Sequence, residues 1–353
     1  MPPGKRGVPV HAAAEPFVHP ALFYGDPHAY LAGTVPFVRA GLAAGEPVAV
    51  AVPGERLRLI RDALGADGAG VRFLDMREVG RNPGRIIPGV LRAFADAQPP
   101  GRRARIIGEP VWAGRGPAEY PACVQHEALI NAAFQGREVT ILCPYDTAGL
   151  DARALADAWA THPVVVEGGQ ERPSAAYDPE GVVARCNVPL PPAPPPGPGV
   201  LRVAFDEDRL PAARHLATGH GGGLGLTGEA LENLALVTAE LTTNSVLHGG
   251  GSGTLTVWAE DGLVLCEVRD RGRLTDPLAG RRPAGRDQRG GRGLLLVNLV
   301  SDLVRVHTGP DGTTVRCYLG RQCVSASDRS RSAPPLPPPA AAGRRVRGTR
   351  GWR

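Results

Sequence analysis

Lysine is almost missing from this chain of 353 residues: Lys5 is the only one, and every other basic side chain is arginine or histidine. A Walker A loop sets a lysine on its phosphates, a eukaryotic-type protein kinase sets one on its third strand, and pyridoxal enzymes need one for the Schiff base. The composition excludes all three chemistries. No CxxC pair joins the cysteines at 123, 143, 186, 266, 317 and 323, which therefore read as reduced thiols rather than a disulfide frame or a structural zinc site. No run approaches the roughly 18 apolar residues of a bilayer span. No apolar stretch follows Lys5 and Arg6 either, which predicts a cytoplasmic protein without a secretory signal.

What is present is ordinary for a soluble protein: 42% apolar and 21% charged residues, enough for the cores of two or three domains. The formal charge of +5 is unevenly placed. Residues 321–353 carry eight arginines against Asp328, a local +7, so the preceding 320 residues sum to −2. A basic core would suggest nucleic acid; an excess confined to a Pro/Ala/Arg tail reads as a disordered extension, and direct nucleic-acid binding is not expected.

Two composition breaks divide the chain. Pro189 to Gly199 is too rich in proline for a helix or a central strand and should run as a stiff extended linker. After Leu319 the pattern dissolves into Ser, Pro, Ala and Arg. The expected organisation is a flexible start over 1–16, a first domain over 17–187, a linker over 188–200, a second domain over 201–320 and a basic tail.

In the first domain, Val/Ile-rich strands near 48–52, 71–74, 105–107, 139–143 and 164–166 alternate with helical segments near 28–43, 55–64, 85–97, 118–134 and 151–160. That alternation predicts an α/β domain, a mostly parallel sheet with helices on both faces. The order changes after the linker. A helix near 206–218, a glycine break at His220–Gly223 and a long helix near 228–248 precede two hairpins, 254–259 with 263–268 and 303–307 with 313–319, around a short helix near 294–300. This predicts an α+β domain with helices on one face of a hairpin sheet.

On the long helix, with 100° per residue, Glu240, Asn244 and His248 share a sector with Leu234, Val237 and Leu241. The polar trio should therefore face the sheet, where a carboxylate and an amide need partners such as a ligand or a metal. Asp270 ends a strand and precedes Gly272; Gly290, Gly291 and Gly293 open a helix, where bare N–H groups favour phosphate; Thr313 begins the last strand. In this order the set resembles the GHKL (gyrase, Hsp90, histidine kinase, MutL) ATPase sandwich, and within it the anti-sigma-factor serine/threonine kinases of the RsbW and SpoIIAB type.

That resemblance, over residues 200–320, implies ATP and Mg²⁺ as cofactors. It makes Glu240 the general base, Asn244 the Mg²⁺ ligand and His248 a neighbour of the phosphates. Asp270 is implied to hold the adenine amino group with help from Thr313 and Gly272, while Gly291, Arg292 and Gly293 face phosphate. Residues 273–289 are implied to form a lid, with Arg286, Arg289 and Arg292 available to offset charge. The family's Asp-x-Gly-x-Gly loop lacks its second glycine here, where Leu274 stands, a change expected to affect turnover more than binding. No phosphoacceptor hairpin precedes the domain, since His215 and His220 lie in a short Gly-rich segment.

In the first domain the clusters are His19–Tyr24, Gly80–Pro83, Gly108–Trp112, His126–Asn131, Cys143–Asp146 and Thr161–Pro163, most of them at strand ends, where open α/β sheets bind ligands. His126, Glu127, Cys143 and His162 match no standard metal spacing, so turns and caps are the expectation. In order, over residues 17–170, the clusters resemble the MEDS sensory domain, a small-molecule sensor related to RecA-like domains. Val48–Val52 leads into Pro53-Gly-Glu-Arg56 without Gly-Lys-Ser/Thr, so binding without ATP hydrolysis is expected. Glu109, Trp112, His126, Tyr145 and Asp146 are the ligand candidates.

The resemblances together imply a sensor-controlled kinase that binds a sigma factor and phosphorylates a STAS-type anti-anti-sigma partner, with a homodimer as one possible assembly. The alternatives are a non-catalytic ATP-dependent binding switch, and an ATPase or histidine-kinase-like protein without transfer to protein.

Overall fold

The computed structural model describes residues 16–99, 101–283 and 291–320. The expected flexible start up to residue 15, the glycine at 290, Arg286, Arg289 and the basic tail with Cys323 lie outside the described residues.

The first half runs β1 (Phe17–Val18), β2 (Pro20–Tyr24), α1 (Pro27–Ala43), β3 (Val48–Val52), α2 (Gly54–Leu64), β4 (Val71–Asp75), α3 (Met76–Val79), α4 (Ala93–Asp96), β5 (Ala104–Gly108), α5 (Tyr120–Ala133), β6 (Val139–Asp146), α6 (Ala152–Thr161), β7 (Val164–Glu167), β8 (Gln170–Pro173) and α7 (Pro179–Cys186). The sheet order is β4-β3-β5-β6-β2-β7-β8, with β1 beside β6. All pairs are parallel except β7 with β8.

β2, β3 and β5 are buried along their whole length, as continuous apolar runs in a sheet covered on both faces must be. Alternate residues feed two cores. Ala49, Ala51, Ile106 and Ile141 meet α5 on one face, and Val48, Val50, Val52, Ile107 and Leu142 meet α1 and α2 on the other. The expected helix near 85–97 is a π-helical turn over Ile87–Arg92 followed by α4.

The second half runs β9 (Leu201–Asp206), α8 (Leu210–Gly223), α9 (Gly228–His248), β10 (Ser252–Glu260), β11 (Leu263–Asp270), α10 (Gly293–Val300), β12 (Leu303–Gly309) and β13 (Gly312–Gly320). Its antiparallel sheet has the order β12-β13-β11-β10-β9. The β10–β11 hairpin closes on Asp261 and Gly262, both with positive φ (48° and 79°), the backbone that matches strand twist in a two-residue turn. Leu255, Val257, Cys266, Val268, Val315 and Cys317 pack against Leu234, Val237 and Leu241 of α9, so the core lies between the sheet and one helical layer.

Two expectations change. The glycines at 221–223 continue α8 instead of breaking it; Gly221 is where α8 meets α9, and a Cβ there would collide with Leu234. The proline linker does not stand clear as a spacer. Arg316 Nη2 donates to Pro191 O (2.6 Å) and Arg202 Nη2 to Pro194 O (3.0 Å), which lays it along the sheet face opposite the helices.

Candidate functional site

In the second half, α9 and α10 meet end to flank. Leu234, Val237 and Leu241 bury one stripe of α9, and Glu240 and Asn244 flank it, half-buried. A Cβ placed on Gly293 would lie 2.6 Å from Glu240 Oε2 and 3.1 Å from Asn244 Nδ2. Only a glycine lets the start of α10 approach that carboxylate and amide. The first helical bond of α10 runs from Leu296 N to Arg292 O (2.9 Å), so the N–H groups of Gly293, Leu294 and Leu295 have no intrahelical acceptor. Donors at a positive helix end thus adjoin an acid and an amide, an arrangement suited to an anion with its counter-cation.

Asp270 stands across the same cavity at the end of β11. Its Oδ1 accepts from Gly272 N (2.8 Å) and its Oδ2 from Ser245 Oγ (2.6 Å). Each carboxylate oxygen accepts two bonds, so acceptor capacity remains. Thr313 Oγ1 donates to Gly272 O (2.9 Å) and shares a bond with Thr308 Oγ1 (2.9 Å), which in turn accepts from Leu274 N (3.0 Å). At Gly272 a Cβ would lie 2.6 Å from His248 O, so this turn also requires glycine.

The cavity measures about 560 Å³, within the range of small-molecule sites. Asn244, His248, Asp270, Gly272, Gly291, Gly293 and Thr313 line it. Glu240 touches it through Gly293. Arg292 is exposed at the N-cap of α10 and is not among the lining residues. His248 departs from its expected inward position: it is the last residue of α9 and exposed, because the helix ends at the cavity mouth beyond the sheet's cover.

Sequence reasoning missed Ser245, whose hydroxyl among the apolar positions of α9 was a usable signal, and Thr308. Within the segment implied to form a lid, residues 278–281 are anchored on the first half. Leu278 lines the cavity and belongs to the core of the first half. Buried Arg281 donates through Nη2 to Gln125 Oε1 on α5 (3.0 Å), and burial pushes its guanidinium down to about 10. Asn298 of α10 donates to Gly280 O (3.2 Å), while its own backbone oxygen accepts from Asn82 Nδ2 (2.8 Å). Arg305 Nη1 reaches Ala118 O (2.7 Å) and Arg81 pairs with Asp302 (3.1 Å).

The first-half candidates do not form one site. Connections leave β3 and β5 in opposite directions, which makes the crevice beyond their C-terminal ends a topological switch point. Glu109 lies there, buried, accepting from Tyr24 Oη (3.0 Å) and Tyr30 Oη (3.2 Å). Arg56 bonds Asp146 (2.9 Å) and stacks over both tyrosine rings. Burial raises the Glu109 carboxyl to about 8, against the lowering effect of the tyrosine bonds and Arg56. Trp112 is covered by the Arg115 guanidinium at 3.9 Å. His126 is buried, and burial pushes its imidazole down to about 3.

Tyr145 belongs to a second cluster. Its ring meets His162 edge-on, and around that histidine lie His19, Glu127 and Cys143. The expectation that Glu127, Cys143 and His162 serve only turns and caps is corrected here. Their sequence spacing is uninformative because β6, β2 and β7 are neighbours only in the sheet, and that order brings the four groups within 4.8 Å of one another. His126 is not a member of the group.

Comparison with known families agrees with this division. The MEDS model, "MEthanogen/methylotroph, DcmR Sensory domain", matches residues 18–163, and the model of the histidine kinase-like ATPase domain matches residues 203–319. The chain therefore carries an N-terminal sensory domain and a C-terminal ATPase domain of the GHKL type. In particular, the sensory part is a MEDS domain. No curated protein matches the chain. Among solved structures, the RsbU and RsbW domains of Rv1364c from Mycobacterium tuberculosis match with 20% identity and a TM-score of 0.27, over 35% of this chain. The match spans about a third (32%) of that chain. No helix among the described residues is long and apolar enough to cross a membrane.

Proposed function

We propose that the chain is a cytoplasmic, ATP-binding serine/threonine kinase of the anti-sigma-factor type, governed by small-molecule binding in its MEDS domain. One observation carries the reading: the Glu240 carboxylate and the Asn244 amide both abut Gly293 at the open N-terminus of α10, with Asp270 across the same cavity. The residues fit Mg·ATP. Helix-terminal N–H groups without an intrahelical acceptor and an amide suit a magnesium-bound triphosphate, and an acceptor framed by Gly272 suits an exocyclic amine.

When bound, Mg·ATP supplies the transferable phosphoryl group and the cation that neutralises it. Glu240 then accepts the proton of an attacking serine or threonine hydroxyl. Asn244 offers its amide oxygen to the cation, the α10 N–H groups orient the phosphates, and Asp270 selects the base. Positioning and charge are most of what phosphoryl transfer asks of a protein, so the scarcity of lysine is no obstacle. The partners in this reading are a sigma factor and a STAS-type protein bearing the acceptor hydroxyl. Leu278 and Arg281 carry control: Leu278 lines the cavity and packs in the sensor core, and Arg281, set between the lining residues Gly280 and Arg282, donates to Gln125 of the sensor.

The test is phosphoprotein formation from labelled ATP and a STAS-type partner. Glu240→Ala should lose transfer by at least 100-fold while keeping nucleotide affinity, and Asn244→Ala should weaken the Mg²⁺ dependence of binding. Undiminished transfer by Glu240→Ala would overturn the assignment, and tight binding without any phosphoprotein would favour the non-catalytic switch.

A further inference from the structure

We propose that the MEDS domain holds one divalent transition-metal ion of the zinc class on His19 Nε2, His162 Nε2, the Glu127 carboxylate and Cys143 Sγ. Each of the four residues is at most 1% exposed, and the site shares no residue with the nucleotide cavity.

The tautomers carry the argument. Asn131 is oriented by its Nδ2 donating to Thr161 O (2.9 Å) and Ala128 O (3.2 Å), so its Oδ1 faces His19 and accepts from Nδ1 (3.1 Å). The carbonyl of Ala158 can only accept, and it takes the Nδ1 proton of His162 (2.9 Å). With the proton on Nδ1, each imidazole directs its Nε2 inward, towards the same oxygen of Glu127, at 3.4 Å from His19 and 3.1 Å from His162. Cys143 Sγ lies 3.4 Å from His19 Nε2. Neither carboxylate oxygen of Glu127 has a hydrogen-bond donor.

Two lone pairs and a buried carboxylate facing one another need a cation between them. A tetrahedral zinc site with bonds of about 2.0–2.3 Å has ligand-to-ligand edges of roughly 3.3–3.7 Å; three of the spacings here are 3.1–3.4 Å, and all lie within 4.8 Å. Each histidine also has the outer carbonyl acceptor that metal-bound imidazoles characteristically use.

The charges close as well. The ion binds as M²⁺, the thiol of Cys143 releases its proton to solvent, and thiolate plus carboxylate give a neutral centre with no change of oxidation state. Such a centre suits its surroundings, where Phe17 stacks on His19 and Tyr145 meets His162 edge-on. One sulfur and two imidazole nitrogens exclude Mg²⁺ and Ca²⁺, which take oxygen ligands. The elements joined are the β1–β2 junction, α5, the middle of β6 and the α6–β7 corner.

The full chain is purified without chelator and its zinc measured; the metal is then removed under reducing conditions and replaced by titration with Co²⁺. The expected result is one equivalent of either ion, with tetrahedral Co²⁺ bands and a thiolate-to-cobalt charge-transfer band. Cys143→Ser should abolish the charge-transfer band, Cys186→Ser should leave it, and Asn131→Ala should weaken affinity about 10- to 100-fold. Because Cys143→Ser is a core change, zinc-edge X-ray absorption on the wild-type chain gives an independent reading: one sulfur and three nitrogen or oxygen neighbours. Absence of stoichiometric metal, a shell without sulfur, or a shell with two sulfurs would each overturn the proposal; the last would point to Cys266 and Cys317, paired across β11 and β13.

Discussion

Asp270→Asn tests the nucleotide reading at its selective end. In the free protein the substitution is well tolerated on geometric grounds. The new amide oxygen can accept from Gly272 N, and the amide nitrogen can donate to Ser245 Oγ, whose own proton already has an acceptor in Leu241 O at 3.1 Å. The fold keeps its turn and loses only the extra strength of a charge-assisted bond. The face left for the base changes sign, from a carboxylate that accepts to an amide that also donates. A hydrogen bond to a charged group is worth about 1.5–3 kcal/mol, so ATP affinity should fall about 10- to 150-fold. Guanine presents a carbonyl oxygen where adenine presents its amine, so GTP should lose less than ATP or gain. Calorimetric titration of both nucleotides measures this, with thermal unfolding as the control for structure. If the variant remains folded and binds ATP within about twofold of wild type, with the GTP-to-ATP ratio unmoved, Asp270 does not read the base.

Two further outcomes follow from the sensor side. Glu109 has a folded-state pKa raised to about 8 by burial, facing Tyr24, Tyr30, Arg56 and Asp146. An acid raised above its unfolded value of 4.5 contributes stability that is complete below that value and lost as pH rises towards 8. The melting temperature of wild type should thus fall across pH 5–8 by more than that of Glu109→Gln, and parallel curves would show that the carboxyl ionises as freely folded as unfolded. Leu278→Ala, at a position only 4% exposed, should cost about 2–5 kcal/mol and uncouple the two halves. In calorimetry, added ATP should raise the sensor-domain transition of wild type but not of the variant; an equal rise in both would move the coupling elsewhere.

Much of the second half was legible because its chemistry is written locally. Glu240 and Asn244 lie one helical turn apart, Asp270 ends a strand before a glycine, and Gly293 opens a helix, so period and turn rules pick out each piece, while their meeting at one cavity was implied only by the resemblance to the GHKL sandwich. The first half shows the limit of that approach. Its strands were readable from Val/Ile runs, but β1, β2, β8 and α7 were not, and neither was β9 of the second half, all being short or interrupted by proline and charge. His19 and Cys143 are 124 residues apart and meet only because β2 inserts between β6 and β7. No spacing rule carries that information; strand order does.

The same distinction applies where the two halves meet. In sequence, residues 278–281 fall within the stretch that the resemblance implies to be a lid, with Leu278 and Arg281 flanking Ala279 and Gly280. In the fold, Leu278 enters the sensor core, Arg281 reaches Gln125 on α5, and Gly280 holds positive φ (70°) where a Cβ would lie 2.6 Å from Leu294 Cβ on α10. Helix α5 also carries Glu127, two residues beyond Gln125, so the buried histidine cluster and the rim of the nucleotide cavity hang on one helix. A shift of α5 changes the Arg281 contact, and any movement of residues 278–281 changes the cavity wall at α10. The coupling required is modest: 1–3 kcal/mol gives about a 5- to 150-fold change in affinity, on the scale of one or two hydrogen bonds and one buried leucine.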